Sequence, residues 1–150
     1  MAYQAKRSKK VIEEFELVNE NGQVVEHFNV ELDAGTVVEK LRKKYVDLLR
    51  AQADVAHVNA SISEKKELHN AYEKLGYAVS DIIEAVFGSE ATTKILSFYE
   101  NRYAEMTKEV LPFITQVVIP KVEAVARENK KQILDGYNRK QRRYILKKMR

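Results

Sequence analysis

The residues best suited to chemistry in this chain are three histidines, a close pair of carboxylates and a row of tyrosines. His57 and His69 stand twelve residues apart; on one helix that spacing separates them by about 120°, so they share no ligand face, and His27 lies in a stretch of strand character. Asp81 and Glu84 sit at i and i+3 of an expected helix, a spacing open to acid–base work, but no base or nucleophile accompanies them. Cysteine is absent, which excludes disulfides, thiolate metal ligands and cysteine nucleophiles. The glycines Gly22, Gly35, Gly76, Gly88 and Gly136 are isolated, each where a turn or cap would want one, and form no phosphate-cradling loop. With no convergent acid, base, nucleophile or metal set, the expectation is a protein that is not an enzyme and uses neither cofactor nor metal.

Groups suited to binding are more numerous. Tyrosine outnumbers phenylalanine, eight to five, and Tyr72, Tyr77, Tyr99 and Tyr103 fall at helical positions where a ring can bury area while its hydroxyl stays hydrated, making them candidate protein-binding anchors. The chain ends "NRKQRRYILKKMR", seven basic side chains and no acidic one. Arg139, Lys140, Arg142, Arg143, Lys147 and Lys148 are candidate phosphate contacts for a nucleic acid. If helical, with Asn138 and Gln141 as a capping box, the segment gathers Tyr144, Ile145, Leu146 and Met149 on one side, and it would equally suit an acidic membrane surface or an acidic groove on a protein. Aromatic interleaving is thin, only Tyr137 and Tyr144, so a base-stacking platform has little support.

The net charge of +4 conceals a split. Residues 1–10 carry four basic groups (Lys6, Arg7, Lys9, Lys10), 138–150 carry seven, and the stretch between holds 15 basic residues against all 22 acidic ones. We read a basic tail over 1–10, a single hairpin-plus-helices domain over 11–137 and a basic segment over 138–150. Hydrophobic residues at 45% and charged residues at 32% suit a packed core under a charged surface. No apolar h-region follows "MAYQAKRSKK" and no apolar run approaches eighteen residues, so a cytoplasmic protein without a membrane partner is expected.

These residues need elements to position them. "VIEEFELVNENGQVVEHFNVEL" alternates around Asn21-Gly22, the signature of a hairpin with a two-residue type I′ turn closed by Glu20 and Gln23. That register sets Val11 against Leu32, Phe15 against Phe28, Glu16 against His27 and Val18 against Val25. Its apolar face is Val11, Phe15, Leu17, Val24, Phe28, Val30 and Leu32, which helices or a second copy must cover. After "DAG" the period becomes helical: Thr36 is the expected N-cap, and Val38, Leu41, Tyr45, Leu48, Val55 and Ile62 form a stripe on one long helix or two, since the small-residue middle "AQADVAHVNASIS" can hide a break. A short helix after Gly76 should end at Phe87, with Gly88 as its C-cap and Ser89 as the next N-cap. A helix then carries Ile95, Phe98, Tyr99, Tyr103 and Met106 toward an interruption at Pro112. "FITQVVI" reads as a kinked helix or as a strand. Pro120 opens a last helix that Asp135-Gly136 closes. The fold class is α+β, an N-terminal β-hairpin followed by a predominantly helical domain of four to five helices.

The Phe87-Gly88 turn with Glu90, the "FYENRY" helix, Leu111-Pro112-Phe113 and Ile119-Pro120, together with the hairpin and the basic "NRKQRR" ending, resemble the tail assembly chaperones of Gram-positive phages and prophages. The resemblance implies a non-enzymatic, self-associating, helical protein of the bacterial host cytoplasm that keeps the tape measure protein soluble and recruits tail tube subunits. The residues themselves leave a second reading open, a nucleic-acid-binding regulator that uses the basic end.

Overall fold

The computed structural model describes residues 2–7, 9–60 and 65–148; the side chains of 59, 60 and 136–148 lie outside that description. Strands β1 (Val11–Val18) and β2 (Val24–Leu32) form an antiparallel hairpin, followed by α1 (Ala34–Ala60), α2 (Lys65–Phe87), α3 (Ser89–Phe98), α4 (Tyr103–Glu109), a π-helical segment (Phe113–Val118) and α5 (Ile119–Lys148). The fold is α+β, as expected.

The expected register holds along most of the hairpin, with Val11 opposite Leu32, Phe15 opposite Phe28 and Glu16 opposite His27. It slips at the tip, where Val18 faces Val24 instead of Val25. Asn19 is the cause. Its side-chain carbonyl accepts from the Asn21 and Gln23 amides at 3.0 and 2.9 Å, and its backbone carbonyl accepts from Gly22 at 3.0 Å. The loop is therefore three residues, Glu20 to Gly22; Gly22 alone has positive φ, 81°, where a type I′ turn needs two such residues. Val24, expected on the buried face, is exposed: after the slip it pairs with Val18, itself exposed, and burial on the hairpin ends at Leu17.

Asp33, rather than Thr36, begins α1. Its carboxylate accepts from the Gly35 amide at 3.1 Å and its carbonyl from the Thr36 hydroxyl at 3.2 Å, so the helix starts three residues earlier than expected. Through residue 60 the small-residue stretch belongs to α1; its remainder, with Ile62, lies outside the described residues, and a second helix is described from Lys65. α2 runs antiparallel to α1, as the Lys44–Asp81 ion pair at 3.7 Å and the groove joining Asp54 to Lys74 require. Rather than a short helix after Gly76, it is one of 23 residues. Gly76 is retained for space: a Cβ there would stand 2.7 Å from the Tyr103 ring. Gly88, at φ 85°, both ends α2 and caps α3, its carbonyl accepting from the Thr92 amide; Ser89 Oγ donates instead to Glu84.

The expected continuous helix through "FYENRY" is broken. The Asn101 amide donates to the Leu96 carbonyl at 3.0 Å and the Glu100 amide to the Ser97 carbonyl at 3.1 Å, a Schellman ending. Glu100 and Asn101 both take left-handed conformations, φ 52° and 59°, so Ile95 and Met106 enter the core from different helices. "FITQVVI" resolves as helix, not strand. Its wide turn donates the Ile119 amide back to Ile114 five residues earlier, a geometry common where proline removes a donor, as Pro120 does here. α5 then continues through Asp135-Gly136 and Asn138 to Lys148, so neither the expected helix end nor the capping box forms.

Leu17, Val30, Leu41, Leu48, Val79, Ile82, Ile83, Ile95, Met106, Ile114 and Val118 build one core between hairpin and helices. Replacing Gly76 by Ala should set a clash of roughly 1–3 kcal/mol against a helix-propensity gain of about 1 kcal/mol, a net loss of about 1 kcal/mol. In a Tyr103→Ala background the same change should become stabilising; denaturant midpoints of the four proteins check the sign reversal.

Candidate functional site

The hairpin tip and the break between α3 and α4 face each other across a cleft of about 500 Å³. The break positions one wall. Phe98 and Tyr99, in edge-to-face contact at 4.9 Å, end α3, and the left-handed pair Glu100-Asn101 turns the chain so that Glu105 and Glu109 on α4 line the same space. Left-handed conformations in residues with a Cβ cost on the order of 1–3 kcal/mol each and concentrate at functional sites. Val18, Asn19, Glu20 and Asn21 form the opposite wall.

Four carboxylates, Glu20, Glu100, Glu105 and Glu109, line the cleft against the single guanidinium of Arg102. Arg102 pairs with Glu100 at 3.1 Å and reaches Glu105 at 3.7 Å, leaving Glu20 and Glu109 to hold the surplus. Burial, then the negative charge of Glu109 and Glu105, raises the Tyr99 phenol above its ordinary pKa. Val18 in the cleft wall, Val24 opposite it on the hairpin and the neighbouring Val25 are each about half exposed. The site is thus anionic with an apolar lip, suited to a cationic segment that also carries apolar side chains.

The four tyrosines expected to form one surface are divided. Tyr99 lines the cleft; Tyr103 is half-buried with its ring over Gly76 and serves packing. Tyr77 and Tyr72 are exposed on α2, Tyr77 beside a shallow groove with Asp47, Arg50 and Asp54 of α1 and with its hydroxyl 3.5 Å from Glu73. The basic residues Arg139, Lys140, Arg142, Arg143, Lys147 and Lys148 belong to the helical backbone of α5, but their side chains lie outside the described residues.

His57 closes α1 and His69 lies on α2, so the two belong to different helices, and His27 sits 3.9 Å from Glu14 on the hairpin. Among the described residues no group of three or more His, Asp or Glu could hold a metal ion. Asp81 pairs with Lys44 and Glu84 accepts from Ser89. No helix among the described residues is long and apolar enough to cross a membrane. No family model, curated protein or solved structure matches this chain.

Sequence reading missed the cleft carboxylates because they lie on three separate elements. The local signal was Asn101, a residue that tolerates the left-handed region, inside an otherwise helical run.

The folded state holds the Tyr99 proton more tightly than the unfolded chain does. This group therefore favours the fold below the ordinary phenol pKa and loses that contribution as pH rises through the raised value. Phenolate absorbance should show one late-titrating tyrosine, absent in Tyr99→Phe. Glu105→Gln with Glu109→Gln should lower its pKa only partly, because burial is the larger cause.

Proposed function

We propose that this chain is a non-enzymatic, protein-binding assembly factor of the tail assembly chaperone type. It acts in the host cytoplasm, where it holds tape measure and tail tube proteins until the tail is built. The observation that carries the reading is the uncovered hairpin tip: three valines, Val18, Val24 and Val25, are half exposed there, and Val18 lines an anionic cleft. Exposed apolar side chains grouped beside polar ones favour a protein partner over a small molecule. The resemblance noted in the sequence supplies the kind of partner.

The test is co-production with a tape measure protein that is insoluble alone. It should become soluble and copurify with this chain, and Val24→Asp with Val25→Asp should abolish capture while circular dichroism stays native. Unchanged capture by that variant would refute the tip as the docking surface.

A second reading is favoured by one feature: the backbone of the basic end is helical to Lys148. A nucleic-acid-binding regulator would then bind duplex DNA or RNA with affinity falling steeply in salt. Fluorescence titration at two salt concentrations checks this, and affinity unchanged by Arg139→Gln with Lys140→Gln, Arg142→Gln and Arg143→Gln would reject it.

A further inference from the structure

Beyond Val122 no residue of α5 is buried among those whose side chains are described. The helix leaves the core there as a stem, and a groove runs between this stem and the first two turns of α1. Gly35, Val38 and Arg42 line it from α1, and Ala126, Ile133 and Leu134 line it from α5, each set at helical spacing on one side of its helix. The groove shares no residue with the acidic cleft at the hairpin tip. From Gly35 to Arg42 it extends about 10 Å, two helical turns.

Its floor is apolar and its rim cationic. Val38 is buried and Ala126 half-buried against the core, while above them Ile133 is 72% exposed and Leu134 50%. Arg42 is already held, by Glu39 at 3.0 Å and by Glu123 at 3.5 Å. Arg127 and Lys130, which also line the groove, form no ion pair with any acidic residue among the described residues. The space, about 550 Å³, thus wants an occupant that brings apolar side chains and negative charge together. Phosphates would satisfy Arg127 and Lys130 but leave Ile133 and Leu134 in water. A bilayer surface is flat and would not reach Val38 and Ala126 at the bottom of a crevice. The chain's own N-terminal residues carry Lys6, Arg7, Lys9 and Lys10, the wrong sign, and Tyr3 among them is 95% exposed. The same groove on a second copy would set cations against cations.

We propose that the groove between α1 and α5 is a second protein-docking site, and that its occupant is an acidic amphipathic helix of a partner protein. Such a helix lays apolar side chains at i, i+3, i+4 and i+7 along the groove, where they cover Ile133 and Leu134, and its flanking carboxylates meet Arg127 and Lys130. The small residues Gly35 and Ala126 let a third helix approach the two that form the walls. The charge preference is opposite to that of the tip, so the two surfaces select different segments, and the groove stands or falls apart from tape measure capture at the tip.

Fluorescence anisotropy with the full chain tests this. The probe is a labelled amphipathic peptide of about three turns, with leucine at i, i+3, i+4 and i+7 and glutamate elsewhere. Wild type should bind it and should not bind the same peptide carrying lysine in place of glutamate. Ile133→Asp with Leu134→Asp should weaken binding about tenfold or more, and Arg127→Glu with Lys130→Glu should transfer the preference to the lysine peptide. All four residues are exposed and outside the core, so circular dichroism should stay native in both variants. Failure to bind the glutamate peptide, equal binding of the two peptides, or binding indifferent to either variant overturns the proposal. Flotation of the chain with vesicles of phosphatidylglycerol and phosphatidylcholine in place of peptide binding also overturns it, making the groove a lipid contact. So does a wild-type oligomer in sedimentation that Ile133→Asp with Leu134→Asp dissolves, which makes the groove a contact between copies.

Discussion

The structure depends on a cluster of four phenylalanines drawn from four segments. Phe15 and Phe28 face each other across the hairpin, Phe87 ends α2 and Phe113 opens the wide turn before α5. Phe15 lies 5.2 Å from Phe87 and 4.9 Å from Phe113; Phe87 lies 6.0 Å from Phe28 and 5.8 Å from Phe113, centroid to centroid. A two-stranded ribbon is marginal in water. Aromatic pairs contribute roughly 0.5–1.5 kcal/mol each beyond area burial, and here every pair joins segments distant in sequence. The cluster is therefore what converts a weak ribbon into one wall of a core, and it fixes where α2 stops and where α5 begins.

The same arrangement explains why the tip is bare. Cover reaches the hairpin as far as Leu17, two residues beyond Phe15, so the apolar alternation outlasts its burial and Val18, Val24 and Val25 are left at the surface. Charge follows the same axis. The carboxylates of the α3–α4 break gather at the tip, while at the base Lys10 pairs with Glu31. The cleft holds one guanidinium among four carboxylates, so its own lining does not neutralise it.

Much of this was legible in the residues. The alternation around Asn21-Gly22 specified the hairpin and most of its register, because a one-residue slip would have moved an entire face. What it could not specify was the turn, since Asn19 competes through its side chain and selects a three-residue loop. Helical periodicity located α1 and the end of α2 at Phe87 but not the start of α2, and it treats every continuous apolar pattern as one helix. The break at Glu100-Asn101 therefore stayed hidden, and with it the cleft, whose carboxylates converge only in three dimensions. In sequence Gly76 reads as weakening a helix and Gly136 as closing one, yet α2 and α5 run through both. Gly76 answers to a ring arriving from another helix, which no local pattern contains. Among the candidate site residues whose side chains are described, only Tyr99 lines the cleft.

The wide turn at Phe113–Val118 has one more consequence, which concerns the length of the chain. A π-type turn carries a residue more than an α-turn spanning the same arc. That surplus lets Phe113 join the aromatic cluster while Ile114, Val118 and Val122 all stay on the core side. The segment thus behaves as an insertion already absorbed by the helix. Removing one residue there would return the backbone to ordinary α geometry, whereas the same deletion a turn later, within α5, would rotate everything beyond it by about 100°. In evolutionary terms, the chain stores its slack beside the aromatic cluster, and the heading of the stem is set by how that slack is taken up.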